Sequence, residues 1–492
     1  MSLAVPERYR LASGLDISRI VTGLWQVADQ ERGGQALDRE AAARDLAAYA
    51  RAGFDSFDMA DHYGSAELIA GRFLQIAGTE APAARPAVFT KWCPSPGPMT
   101  REVVRKGIEE RLTRLGVSRI DLLQFHWWSY EHPAWLDAMR ELSVLRDEGV
   151  IGALGLTNFN TDHLRVLAGC EIAVDTNQVS FSVLDRRAAG DMAAFCDRHG
   201  IALLAYGTLA GGLISERWLG AAEPGAGDID DWSKMKYRRF VDAIGGWGAL
   251  QAILGALNTV AKRHGVSLSN VASRWVLEHE CVAGVIVGAR LGEREHRADN
   301  LRAFSFALSD NDYAVLEAGF AQSRNPPGDC GDEYRKPPFL TASGDLSHHL
   351  KAVPKAFVAE PVAGRADAEN VGSGSVWEGL AGYSRAVRRG KRIVVSGTTA
   401  THGKGFSVAP GEAAAQAVYI LDKITASIMA LGGSLEDVVR TRIFLTDIND
   451  WEAVARVHGR YFGDIRPVNT LVAVAGLVGE YRVEIEAEAE LP

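Results

Sequence analysis

Between Ile17 and Asn300 short apolar runs alternate with amphipathic stretches, and that alternation leaves the chain very few architectures. The strand-like runs fall at 20–26, 54–58, 88–91, 120–126, 153–156, 173–177, 202–206 and 282–287, with helix-period patterns between them at 39–51, 101–115, 135–146 and 192–199. Strands that stay apolar on both faces belong to parallel sheets, and each parallel neighbour needs a crossover to reach it. Eight such units match an α/β fold of the (β/α)8 TIM barrel type, usually about 250 residues long. A doubly wound open sheet is the competing arrangement. Its dinucleotide-binding form carries G-x-G-x-x-G after the first strand, and no such run follows the first strand here.

In a (β/α)8 barrel the chemistry sits at the C-terminal ends of the strands. Asp58 and Tyr63 follow the second strand, Lys91 closes the third and His126 closes the fourth. A carboxylate buried at a strand end needs a cation, which Lys91 supplies. A phenol with an ordinary pKa of about 10 needs help to give up its proton near neutrality, so an ammonium beside Tyr63 is expected to lower its pKa. His126 can orient and polarise a carbonyl oxygen by hydrogen bonding. Together these residues can protonate an oxygen while something else supplies a hydride. Trp25, Trp92, Trp127, Trp128 and Trp247 suit either a pocket wall or the core. The polar, Trp-rich insertion at 211–247 is expected to fold over the mouth as part of a lid.

The run Asp58-Met59-Ala60-Asp61-His62-Tyr63-Gly64, with Thr90-Lys91 and Leu122-Leu123-Gln124-Phe125-His126, resembles the aldo-keto reductase family over roughly residues 8–320. The resemblance implies Tyr63 as general acid, Lys91 and Asp58 as its tuning pair, and His126 as the group that orients the carbonyl. It also implies a nicotinamide cofactor bound across the barrel mouth. Thr157, Asn158 and Gln178 match its carboxamide contacts, and Tyr206 matches the aromatic that stacks on the nicotinamide. Gly288, Arg290, His296 and Asn300, with Arg294 and Arg297, form a cluster suited to an adenosine phosphate. NADP is therefore the expected cofactor, with NAD as the alternative, and the expected substrate is a small carbonyl compound or its alcohol.

After the barrel pattern the periodicity fails. Residues 351–376 have a linker's Pro, Ala, Gly and Ser composition, which divides the chain into a barrel domain with its tail at 1–350 and a second domain at 377–492. The second part reads as a small α+β unit with a long amphipathic helix at 411–431, where Ala415, Val418, Leu421, Ile424, Ile428 and Leu431 recur at helical spacing. Tyr383-Ser384-Arg385-Ala386-Val387, Gly433-Ser434-Leu435-Glu436-Asp437, Arg466-Pro467-Val468-Asn469-Thr470 and Val483-Glu484-Ile485-Glu486 resemble the Rid/YjgF reactive-intermediate deaminase family, whose fold is chorismate-mutase-like. The resemblance implies a homotrimer with clefts between subunits, and Tyr383, Asn469 and Glu484 as cleft residues. Deaminating members carry an Arg where this chain has Asn469, and an amide supplies no bidentate charged clamp for a carboxylate. Trimerisation is therefore the first expected role of this domain, and binding or processing of a related intermediate the second.

A formal charge of −9 gives no electrostatic reason to expect nucleic acid or an anionic membrane as a partner. Five unpaired, scattered cysteines suggest reduced thiols in a cytoplasmic protein, with Cys93 read as an inert thiol. Cys330 with His348 and His349 is too loosely spaced for a metal site, and no metal is expected. Two other readings stay open: a cofactor-binding redox sensor or scaffold, and a Rid-type hydrolase or deaminase with an accessory reductase.

Overall fold

The computed structural model describes residues 5–27, 37–80, 86–225, 227–229, 231–292, 295–341 and 354–492. The expected boundary at residues 350 and 351, together with Arg294, His348 and His349, lies outside them. The chain opens with an antiparallel hairpin, β1 (Arg8–Arg10) and β2 (Asp16–Ser18), which the periodicity does not announce. Leu11 and Ile17 of this hairpin are buried with Val21, Phe89, Leu122 and Leu204 in the barrel's interior. An apolar plug removes the floor of the barrel from water.

Eight parallel strands close the barrel: β3 (Ile20–Gly23), β4 (Ser56–Asp58), β5 (Ala87–Trp92), β6 (Ile120–His126), β7 (Ile151–Thr157), β8 (Thr176–Ser180), β9 (Ala202–Tyr206) and β10 (Val282–Gly288). Outward residues bury against the surrounding helices, as Phe57 does edge-on against Phe73 of helix Ala66–Glu80 at 4.9 Å. Register aligns Lys91 with Gln124, and His126 with Thr157 and in turn Gln178, so the polar residues gather at one rim. The run expected at 173–177 forms its strand three residues later. The Asp175 carboxylate accepts from the backbone N–H groups of Ser13 and Leu154, while its backbone bonds Leu154 and Ala202 at the start of the ladder.

The second sheet has the order β11-β12-β13-β14-β17-β15-β16, with β11 (Ala359–Pro361), β12 (Ala368–Val371), β13 (Ala386–Arg389), β14 (Arg392–Thr399), β15 (Val438–Leu445), β16 (Val468–Ala473) and β17 (Val483–Glu490). Strands β11 and β12 lie within the stretch whose composition reads as a linker; β11 pairs antiparallel with β12, and β12 with β13. Along β17 alternate residues separate two faces: Val483, Ile485, Ala487 and Ala489 are buried, while Glu484, Glu486 and Glu488 are not. Helix Ala413–Ala430, expected to be amphipathic, is instead buried nearly all round. It packs on β14 and β17 and also against barrel helix Thr161–Gly169, so its polar Gln416, Asp422 and Lys423 are buried too. Further ties join the domains: Arg460 pairs with Asp162, His402 with Asp137 at 3.2 Å, and the Arg140 guanidinium lies 4.1 Å over the Phe406 ring.

Candidate active site

A cavity of about 570 Å³ opens at the C-terminal rim of the barrel. It brings together Asp58, Tyr63, Lys91 and His126, and also Thr157, Asn158, Gln178, Tyr206, Gly288, Arg290, His296 and Asn300. Asp58 ends β4 and is met there by the Lys91 ammonium at 2.6 Å from β5. Its other oxygen accepts from Gln124 and Gln178, each at 2.8 Å, so the buried charge is neutralised and hydrogen-bonded. Thr90, next to Lys91, donates to the buried Glu67 at 2.7 Å, and Arg111 and Arg114 hold Glu67 at 3.0 and 2.6 Å. This second buried ion pair fixes the strand that presents Lys91.

Tyr63 packs edge-on against Trp25 and His62, each at 4.9 Å, with the Lys91 ammonium 5.2 Å from its ring centre. Burial first, and then the Asp58 carboxylate, raise the Tyr63 pKa well above its ordinary value. The expectation of a lowered pKa is therefore corrected for this state. The Lys91 charge is engaged by Asp58, and a phenol removed from water keeps its proton. His126 stacks on Trp128 at 4.2 Å, and its buried Nε2 has no hydrogen-bond partner among the described residues. Burial, and then the charges of Arg335 and Lys91, push its pKa well below the ordinary range, so the imidazole is neutral. Cys93 lies close by; burial and Asp61 push its thiol up, which leaves it a poor nucleophile.

The outer half of the cavity has the features a nicotinamide cofactor needs. Besides His126 Nε2, the buried Thr157 Oγ1 and Gln26 Oε1 atoms have no partners among the described residues. A Cβ on Gly288 would lie 2.2 Å from Gln26 Oε1, so a larger residue there would have to displace the Gln26 amide. Asn158 adopts a left-handed φ of 57° and accepts from the Tyr206 hydroxyl at 2.8 Å. The expected lid is present as helix Trp232–Ile244, capped by Asp231, whose carboxylate also meets Arg290 across the mouth. Trp25 and Trp128 line the cavity, whereas Trp92, Trp127 and Trp247 are core.

Two cavity residues were not singled out by sequence reasoning. Lys236, from the lid helix, places its ammonium 4.7 Å from the Tyr206 ring centre and 2.8 Å from the Tyr334 hydroxyl. Against the lowering pull of burial, Tyr334 and Tyr237 raise its pKa above the ordinary value. Tyr334 comes from the irregular tail and stands at right angles to His126 at 5.5 Å. Its only sequence signal is an aromatic residue within a polar segment.

The second domain does not gather its three expected residues in one subunit. Tyr383 accepts from Arg385 at 3.0 Å, Arg385 also donates to the Gly397 carbonyl, and the Glu484 carboxylate occupies the space that a Cβ on Gly397 would need. Asn469 lies two strands away on β16, donating to Thr441 at 2.9 Å. Burial raises the Glu484 pKa.

Residues 19–319 match the model of the Aldo/keto reductase family, and residues 376–491 match that of Endoribonuclease L-PSP. The chain is 24% identical over 324 residues to the NADH-specific methylglyoxal reductase of Escherichia coli (strain K12), covering 61% of this chain and 94% of that one. It is 32% identical over 180 residues to Flagellar radial spoke protein 5 of Chlamydomonas reinhardtii, covering 33% of this chain and spanning 34% of that protein's length. The solved glycerol dehydrogenase AKR11B4 from Gluconobacter oxydans shares the fold, with a TM-score of 0.53 at 22% identity over 67% of this chain and 98% of that one. The chain belongs to the aldo/keto reductase family and carries a fused domain of the Endoribonuclease L-PSP type.

Proposed function

We propose that this protein interconverts a small aldehyde or ketone and its alcohol with NAD(P)H, NADPH being preferred, and that Tyr63 is the general acid. The observation that carries this reading is the convergence of Tyr63, the Asp58–Lys91 pair and a neutral His126 with an unpartnered Nε2 in one cavity. Thr157, Asn158 and Gln178 would hold the carboxamide of the cofactor, Tyr206 its ring, and Arg290 with His296 its adenosine phosphate. When bound, a nicotinamide supplies the hydride. His126 orients the carbonyl oxygen, and Tyr63 delivers its proton to that oxygen as charge builds there. Lys91 stabilises the phenolate left behind, and Asp58 keeps Lys91 in place. The buried aromatic walls exclude water from the transfer.

The second domain is read as an assembly element that makes the chain a homotrimer. Its open sheet face carries Val394, Val468 and Val472, exposed at 36%, 63% and 41%, in register with the row of Glu484, Glu486 and Glu488. Asn469 bonded to Thr441 offers no carboxylate clamp, which favours assembly over deamination.

The test is a panel of aldehydes and ketones, methylglyoxal among them, and their alcohols, followed by NADPH and NADH absorbance in both directions. Turnover of at least one pair, faster with NADPH, is expected. A purified chain that binds neither cofactor contradicts the reading.

A further inference from the structure

The tail after the last barrel helix runs back over the mouth and then reaches the second domain. Asp329 accepts from the Thr161 N–H at 2.7 Å, and Arg187 holds Glu333 at 2.9 Å. A Cβ on Gly331 would lie 2.1 Å from the Asn158 carbonyl oxygen, so only glycine lets the tail approach that closely. Tyr334 then enters the cavity beside His126. The Arg335 side chain donates to the Asn158 carbonyl at 2.6 Å and to the Trp127 carbonyl. It thereby ties the end of β6, next to His126, to the left-handed turn at Asn158.

Arg335 is itself held from behind. Its guanidinium lies 4.2 Å over the Tyr130 ring, and Tyr130 stacks on the His163 ring at 3.3 Å and 9°. His163 Nε2 is 2.8 Å from Asp422 Oδ2, on helix Ala413–Ala430 of the second domain, and the Tyr461 hydroxyl donates to Asp422 Oδ1 at 2.6 Å. The direction of these bonds follows from their acceptors. Asn160 Oδ1 takes both the His163 backbone N–H and, at 2.6 Å, His163 Nδ1, so Nδ1 carries the hydrogen and neutral Nε2 accepts. Asp422 must then supply the proton, in keeping with burial, which lifts its pKa well above the carboxylate range and lowers that of His163 to about 3. Lys336, the next tail residue, lies 5.4 Å over the Tyr461 ring.

We propose that Asp422 of the second domain is a positioning residue for the barrel's active site, acting through His163, Tyr130 and Arg335 on the backbone at Trp127 and Asn158 and on the tail that carries Tyr334. That this mouth is catalytic rests on the function proposed above; the mechanical coupling of the tail to the second domain does not. The fused domain is thus part of the wall that shapes the substrate pocket. A barrel lacking it would have the same four catalytic residues around a looser mouth.

Amide hydrogen exchange of the full chain tests this without cofactor or substrate. Asp422→Leu strands His163 Nε2 and the Tyr461 hydroxyl, and is expected to speed exchange across residues 327–341 by about tenfold or more while leaving β3 to β5 unchanged. Asp422→Asn keeps both bonds, because its amide donates to His163 and accepts from Tyr461, and is expected to exchange like the parent. Should the leucine variant fail to fold, Tyr461→Phe, which removes one hydrogen bond, is expected to give an intermediate acceleration. In the turnover assay kcat/KM should fall in the order parent and Asn, then Phe, then Leu. Tail exchange that ignores the folded variants, a uniform rise throughout the barrel, an Asn variant as fast as Leu, or activity indifferent to a loosened tail each overturns the proposal. A chain that reduces no carbonyl yet shows the localised exchange change refutes the proposed function and leaves the coupling standing.

Discussion

Tyr63 and His126 hold protonation states that suit opposite tasks. Burial keeps the proton on the phenol and off the imidazole, so at neutral pH the cavity offers one acid and one neutral hydrogen-bonding ring. The pH profile of carbonyl reduction follows from the two directions. A phenol raised above its ordinary value of about 10 loses its proton, and with it the activity, only on the far alkaline side. An imidazole lowered below about 6.5 acquires charge only in acid. The expected kcat/KM is therefore flat between these values, and an alkaline limb near pH 8 would show that Lys91 lowers the phenol's pKa in the free enzyme after all. The four residues proposed as catalytic could be picked out as candidates because strand ends announce themselves as apolar runs stopped by a polar residue, and the structure brings them to one cavity. The electrostatic balance was not legible, because it depends on Gln124 and Gln178 converging on Asp58 from two other strands. Lys236 was missed because it lies on the lid, where periodicity says nothing about which helix face turns inward.

Among the elements, helix Ala413–Ala430 departs furthest from what its spacing suggests. Its apolar stripe was evident, but the burial of the opposite face depends on docking against Thr161–Gly169, which no local pattern encodes. One consequence is Lys423, 3% exposed, whose ammonium donates to the Thr401 carbonyl at 3.0 Å and whose pKa burial, followed by the Arg385 charge, lowers to about 7. The unfolded chain binds this proton up to about pH 10.4, whereas the folded chain releases it from about pH 7 upward. Between those values the unfolded state holds more protons, so stability rises with pH, and below about pH 7 the full cost of a buried charge is present. Thermal unfolding at pH 7 and pH 9.5 is expected to show this rise in the parent and a smaller one in Lys423→Met. Equal rises in both would remove Lys423 as the cause. The barrel strands were mostly legible to within a few residues; β8 runs three residues later than its apolar run because it continues into the polar Asn177, Gln178 and Ser180, which an apolar pattern does not mark. The β1–β2 hairpin and strands β11 and β12 escaped notice because strands so short carry too few residues for a period to register.

At the scale of the whole molecule, two domains that could be read separately in the sequence share buried contacts through Asp162, His163 and Asp422. In the proposed trimer the open face of the second sheet meets other copies of the chain. Light scattering is expected to report a trimer, and Val468→Glu with Val472→Glu is expected to give monomers that retain the barrel's cofactor affinity. A parent chain that is monomeric at micromolar concentration rejects the assembly role. In the proposed reaction the barrel reduces a carbonyl by proton donation from Tyr63. That step is tested most directly by comparing the parent chain with Tyr63→Phe in single-turnover carbonyl reduction, alongside fluorescence titration of the cofactor. A loss of about 100- to 10,000-fold in the rate, with cofactor affinity nearly unchanged, is expected; reduction by the phenylalanine variant at the parent's rate would remove Tyr63 as the proton donor.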